Sequence, residues 1–428
     1  MQLRNAYITS AGVFLPGAPV ANDEIEDVLG RVNDKPSRLR GRILKNNGIQ
    51  TRHYAMDRLQ RSTHANSELA GEAVRVCLAR SAAEVDDIDM LSVATTQGDL
   101  PLPGMASMVQ AEVGIPACEI LTAHGVCSAG MMALKSAVNQ VRLGEKQNAM
   151  VCASELSSRL LKKSRYEAVE GDCIDLESEF LRWMLSDGAG AVLVQPRPAD
   201  RGVSLRVDWI ELFSFASDYD LCMSCGTAKQ SDWALRLGDP GVRQGAAEHA
   251  GVPAKDGPVV NDGSTAKHGS VAVLDKLAQA ATRNDRSWQD YENYADAEKA
   301  GALLIRQNLR ILENIVKVGV DGFLRLIRQG KIAPGEIDHF LCHYSSHFFR
   351  GQILDLFELC GCMIPEDKWF TNLYSKGNTG CASIFIMLEE MFYSGRLKPG
   401  QVVFCAIPES GRFTTAYMKC TVVEGGAD

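Results

Sequence analysis

The sequence predicts an α/β protein in which a duplicated strand–helix–strand unit makes two similar halves of one layered body. An internal repeat is the first observation behind this. Cys127-Ser-Ala-Gly-Met-Met-Ala-Leu, Arg142-Leu143 and Ala149-Met-Val-Cys-Ala-Ser-Glu155 match Cys381-Ala-Ser-Ile-Phe-Ile-Met-Leu, Arg396-Leu397 and Val402-Val-Phe-Cys-Ala-Ile-Pro-Glu409. Ile88-Asp89 and Ile337-Asp338 repeat upstream of these. The second observation is an alternation of short apolar runs with helical patterns. The third is composition: 428 residues, 46% hydrophobic and 23% charged, ordinary for a globular chain.

Taken in order, Met1 to Pro16 reads as a first strand broken by Gly12 and Pro16, not as a secretory leader. Asp89 to Thr95 is a short apolar strand, and Ser107 to Val113 looks helical. Glu119 to Thr122 precedes a helix that opens at Cys127 and stops at Gly144; a strand follows from Met150. Met184 to Val194 is a small-residue turn entering a strand. Residues 1–200 then form one half and 201–428 the other, with a loop-rich insertion around 215–320. Gly238-Asp-Pro-Gly241 and Asn261-Asp-Gly-Ser264 lie in that insertion, which is long enough to be functional.

A net charge of −8 argues against nucleic acid as a partner. No apolar run is long enough to span a membrane. The thirteen cysteines lie in apolar segments without framework spacing, so most are expected to be reduced core residues of a cytoplasmic protein.

Three residues stand out for chemistry. Cys127 follows the strand-and-turn stretch Thr122 to Val126 and precedes good helix formers, which puts its thiol at a helix N-terminus, where dipole and free N–H groups favour thiolate. The plain alternative is a buried structural cysteine. His343 follows Phe340-Leu-Cys and is expected at a strand end. Asn378 sits in the glycine-flanked turn Lys376-Gly-Asn-Thr-Gly-Cys381, at the position matching His124 in the first half. A core histidine and a helix N-cap are the bland readings of these two; with Cys127 they form a more specific pattern.

Gly48-Ile-Gln-Thr-Arg52, Ala94-Thr-Thr96, Cys127-Ser-Ala-Gly130, Ser186-Asp-Gly-Ala-Gly-Ala191, His343 and Gly377-Asn-Thr-Gly-Cys-Ala-Ser383 together resemble the β-ketoacyl-ACP synthase III family of the thiolase superfamily. The resemblance implies the thiolase fold, a duplicated αβαβα layering, and a Cys–His–Asn condensing enzyme. Cys127 would take an acyl group from a CoA or carrier-protein thioester. His343 and Asn378 would hydrogen-bond the carbonyl of a malonyl-type extender as carbon dioxide leaves. The Cys127 N–H would form part of the oxyanion hole. No cofactor and no metal are implied, and a homodimer is expected by analogy. The product would enter fatty-acid, polyketide or specialised-metabolite synthesis.

Several positions depart from the family. Its glycine-rich loop reads Pro408-Glu-Ser-Gly-Arg-Phe413 here, with Gly411 or Arg412 at the oxyanion position and a backbone donor expected to survive either way. Ser346 replaces an asparagine expected to contact pantetheine. The helix after His343 keeps only Arg350 of a basic carrier-docking cluster. Leu102 stands where relatives can carry an aromatic gate, which favours a longer acyl chain.

Rival readings are a metal site from His339, His343 and His347 with nearby cysteines, including Cys222-Met-Ser-Cys225; a noncatalytic subunit of a heterodimeric synthase; and condensation without decarboxylation, or acyl transfer to oxygen or nitrogen. Non-decarboxylating condensation needs an added base, and Glu155 reads rather as the structural duplicate of Glu409. The strand after Asp187-Gly-Ala-Gly argues against a nucleotide loop.

Overall fold

In the computed structural model, which describes residues 3–170, 174–227 and 287–426, ten strands pair into one sheet. They are β1 (Tyr7–Phe14), β2 (Met90–Thr95), β3 (Glu119–His124), β4 (Ala149–Glu155), β5 (Gly188–Gln195), β6 (Val203–Ser214), β7 (His339–Cys342), β8 (Trp369–Phe370), β9 (Val402–Pro408) and β10 (Thr414–Glu424). Their order is β8-β7-β9-β10-β6-β1-β5-β4-β2-β3. The two sides mirror each other. β1 pairs antiparallel with β5 and β5 with β4, while β2 lies parallel between β4 and β3. β6, β10, β9, β7 and β8 repeat this pattern. A short antiparallel β1–β6 contact joins the two series.

The repeated Ile-Asp pair has a local job in each half. Asp89 accepts the N–H groups of Gln147 and Asn148 just ahead of β4, and Asp338 accepts that of Val402 at the start of β9. A carboxylate one residue before a strand thus sets the register of its parallel neighbour.

Among the described residues, six long helices complete the layers: α1 (Asn66–Ala79), α2 (Met105–Val113), α3 (Ala129–Leu143), α4 (Asn314–Arg328), α5 (His347–Leu359) and α6 (Ser383–Phe392). The central strands are buried on both faces, so they read as near-continuous apolar runs. Side chains still alternate along them. In β4, Val151 and Ala153 share a core with α3 and α6, while Met150 and Cys152 pack with α1 and α2. In β9, Val403, Cys405 and Ile407 join that same central core, and Phe404 and Ala406 pack with α4 and α5. Helices α3 and α6 therefore lie between the two half-sheets, with α1/α2 and α4/α5 outside: the expected αβαβα layering of the thiolase fold. Close contact at the centre requires Gly130, where a Cβ would come within 2.7 Å of the Cys381 carbonyl oxygen and the Phe385 ring.

The expected loop-rich segment around 215–320 is narrower at its C-terminal side. Helix α4 begins at Asn314, and its Ile315, Val318 and Phe323 are core residues, because its apolar positions recur at helical spacing. Upstream, Met223–Ser224 pairs antiparallel with Arg306–Gln307. The turns at 238–241 and 261–264 lie outside the described residues. Among the described residues no helix is long and apolar enough to cross a membrane.

Candidate active site

Cys127 lies two residues ahead of α3, in the turn after β3, and is 5% exposed. It lines a narrow cavity with Thr96, Glu155, Asn378 and Ser410, whose far wall is apolar and includes Leu181 and Leu312. The thiol does not gain the acidity expected of a helix start. Burial, and then the carboxylates of Glu409 and Glu155, push its pKa up, so it stays a neutral thiol. Desolvation and two acidic neighbours here outweigh the helix dipole.

Asn378 enters the same cavity from the second half. Its N–H donates to the Met184 carbonyl at 3.1 Å, and its own carbonyl accepts from Ser186 at 2.8 Å. Its side-chain Oδ1 accepts the Gly380 N–H at 3.0 Å. With that oxygen committed, the amide N–H groups are what Asn378 offers to a carbonyl. His124, its counterpart by repeat, is instead exposed at the end of β3 and lines an outer cleft of about 810 Å³ with Gly125 and Arg412.

His343 follows the last residue of β7, as the pattern predicts, and its N–H is held by the Ala406 carbonyl at 2.9 Å. It is 4% exposed and lines an apolar cavity adjacent to the first, with Ser345 lining both. Its Nε2 is buried without a hydrogen-bond partner among the described residues. Burial lowers its pKa to about 4, so the ring is neutral at physiological pH. A neutral imidazole with an uncommitted nitrogen suits it to hydrogen-bond a ligand.

The remaining expected positions behave differently. The Gly411 N–H, expected as an oxyanion donor, is taken by the Glu409 carboxylate at 2.7 Å. Glu409 also accepts from the Thr414 N–H at 2.9 Å, so Gly411 does not offer its N–H to a substrate. The reason is local: an acid two residues before Gly411 folds back onto its own turn. The Arg412 side chain is exposed, with Nε on the Tyr219 carbonyl. Ser346 is the N-cap of α5, its Oγ accepting from Phe348 and donating to the Asn46 carbonyl. Leu102 is 83% exposed and does not line the Cys127 cavity.

Glu155, read from the sequence as the structural duplicate of Glu409, lines the Cys127 cavity, and so does Ser410, which sequence reasoning passed over. Burial raises the pKa of both Glu155 and Glu409, opposed by the hydrogen bonds each receives. The three histidines of the metal reading do not converge: His339 contacts Gln401 and His347 contacts Tyr374. Among the described residues no metal-binding cluster is present.

Residues 327–411 match the family model for the C-terminal part of 3-oxoacyl-[acyl-carrier-protein] synthase III. The chain is 30% identical over 211 residues to the β-ketoacyl-[acyl-carrier-protein] synthase III of Caulobacter vibrioides, a match covering 47% of this chain and 58% of that protein. It is 27% identical over 245 residues to that of Neisseria gonorrhoeae, covering 56% and 67%. The chain thus spans less than two thirds of the length of the first of these curated relatives. Among solved structures it resembles the synthase III of Aquifex aeolicus, with a TM-score of 0.63, 19% identity, and coverage of 97% and 99%. It also resembles a cysteine-to-serine variant of Xanthomonas campestris OleA with bound lauric acid and lauroyl-CoA, with a TM-score of 0.67, 16% identity, and coverage of 98% and 99%.

Proposed function

We propose that the chain, which resembles β-ketoacyl-ACP synthase III in its C-terminal segment and in fold, forms carbon–carbon bonds by condensing a Cys127-bound acyl group with a malonyl-type thioester. Substrates are acyl-CoA or acyl-carrier-protein thioesters, the setting is fatty-acid or related synthesis in the cytoplasm, and no cofactor takes part. The observation that carries this reading is that Cys127 and Asn378, from opposite halves, line one cavity, with His343 at its neighbour.

The roles follow from the environments. Cys127 attacks the incoming thioester carbonyl, and the acyl group passes to its sulfur. The neutral His343 ring and the Asn378 amide hydrogen-bond the extender's thioester oxygen, where enolate charge gathers as carbon dioxide departs. The enolate carbon then attacks the acyl-Cys127 carbonyl and releases the β-ketoacyl thioester. Residues 1–200 and 201–428 act as two halves contributing to one site. Among the described residues strand β3 is an unpaired sheet edge with Ile120 41% exposed, which favours a homodimer.

A second reading is favoured by Glu155. A buried carboxylate in the cavity wall is a base that could allow two acyl groups to join without decarboxylation. One experiment separates the two. Purified protein is given acyl-CoA with labelled malonyl thioester, and acyl-CoA alone, beside Cys127→Ala, His343→Ala and Asn378→Ala. Carbon dioxide release coupled to product, lost in the variants, supports the first reading; product from acyl-CoA alone supports the second. No acyl adduct on Cys127 with any chain length sinks both.

A further inference from the structure

The turn after β9 is occupied by its own chain. Glu409 holds the Gly411 N–H at 2.7 Å and the Thr414 N–H at 2.9 Å. An acyl oxyanion at Gly411 would share one N–H with a carboxylate oxygen, and two anionic oxygens on one donor repel. The corresponding acid of the first half behaves differently. Glu155 crosses to the other half and accepts the N–H of Cys381, the residue that matches Cys127. The N–H at that second-half helix start is therefore spent. Among the described residues the Cys127 N–H donates to no carboxylate. The Cys127 N–H is thus uncommitted, whereas the Gly411 N–H on the turn after β9 is spent on Glu409.

Ser410 stands in the gap. It is 6% exposed, directly precedes Gly411, and lines the cavity that holds Cys127 and Asn378. Among the described residues its hydroxyl makes one contact, long at 3.5 Å, to Gln307 Oε1. The Gln307 amide nitrogen is fixed on the Cys222 carbonyl at 2.8 Å, so that oxygen does not move to tighten the contact. A weakly held hydroxyl in a cavity wall can rotate its proton toward a stronger acceptor.

We infer that the Ser410 hydroxyl, together with the Cys127 N–H, binds the oxyanion formed when Cys127 is acylated, while Glu409 keeps the Gly411 N–H. The inference rests on the condensing reading above. In the step concerned, the Cys127 sulfur bonds to the thioester carbonyl carbon and the π electrons move to oxygen. The oxyanion then collapses, the carbon–sulfur bond to CoA breaks, and the departing thiolate takes the proton that Cys127 loses. Two donors are needed only while the oxygen is anionic, so Ser410 acts on the transition state rather than on substrate affinity.

The test is the rate of Cys127 acylation by acyl-CoA, followed by intact-protein mass across acyl-CoA concentration, for wild type, Ser410→Ala, Ser410→Thr and Cys127→Ala. Ser410→Ala is expected to slow the saturating rate by about 100-fold with little change in the half-saturating concentration. Ser410→Thr, which keeps a hydroxyl, should recover much of the rate. Thermal unfolding at the wild-type midpoint shows that the alanine variant is folded. Acylation of Ser410→Ala within about twofold of wild type overturns the inference, as does an equal loss in Ser410→Thr. A wild type that acquires no acyl group overturns the condensing reading itself, and this outcome is distinct because it precedes any comparison of variants.

Discussion

The Glu155 carboxylate accepts the backbone N–H of Cys381 at 3.1 Å and the hydroxyl of Thr96 at 2.6 Å. The end of β4 is thereby tied to the start of α6, which belongs to the other half. The bond is buried and involves an acid, so it holds the two halves in one geometry around the Cys127 cavity.

Glu155→Ala should lower stability by about 2 kcal/mol, because it leaves the Cys381 N–H buried without an acceptor. Glu155→Gln should cost less, since its amide oxygen can still accept. Urea unfolding of both variants checks this; equal losses would mean that the hydrogen bond is not what matters.

Gly380 sits against the same carboxylate with a φ of 52°, and a Cβ there would come within 2.7 Å of Glu155 Oε1. Gly380→Ala should therefore be destabilised by more than about 1 kcal/mol, from backbone strain and the clash together. Because the displaced Glu155 lines the cavity, slower Cys127 acylation should accompany the lower unfolding midpoint.

His343 carries a pH signature. Its folded pKa of about 4 lies below the ordinary 6.5, so the unfolded chain binds a proton in that window and the folded one does not. The stability from keeping the ring neutral is present above pH 6.5 and is lost as pH falls toward 4. The full effect is on the order of 3 kcal/mol. Buried Asp187, with a pKa raised to about 6, acts in the opposite sense, so the contribution is read as a difference. The stability gap between wild type and His343→Gln should shrink between pH 6.5 and 4; a constant gap would contradict the neutral buried ring.

Among the described residues strand β3 is paired on one side only, and Ile120 on it is 41% exposed. Light scattering on the eluting protein should give a dimer for wild type, and Ile120→Lys should shift it toward monomer, since a charge blocks edge-to-edge pairing. A monomeric wild type would remove the dimer from the account.

How much was legible depended on range. The repeat showed the duplicated architecture because the aligned Asp89 and Asp338 do the same local work in each half, capping the start of the neighbouring strand, even though the aligned Glu155 and Glu409 find different partners. The ends of β7 and α3, and hence the positions of His343 and Cys127, followed from apolar periodicity. Ser346 was readable as a residue type suited to an N-cap, but resemblance drew it into the substrate site.

The sequence by itself determined the elements, their duplication and the residue types at each strand end, because these follow from periodicity and short-range hydrogen bonding. Tertiary structure alone decided what each reactive group experiences. Cys127 stays a neutral thiol because packing removes water and brings Glu155 and Glu409 near it. Gly411 loses its N–H because Glu409 turns back instead of crossing to the other half as Glu155 does. Desolvation and the choice among competing hydrogen-bond partners are set by the three-dimensional surroundings, which the order of residues does not display.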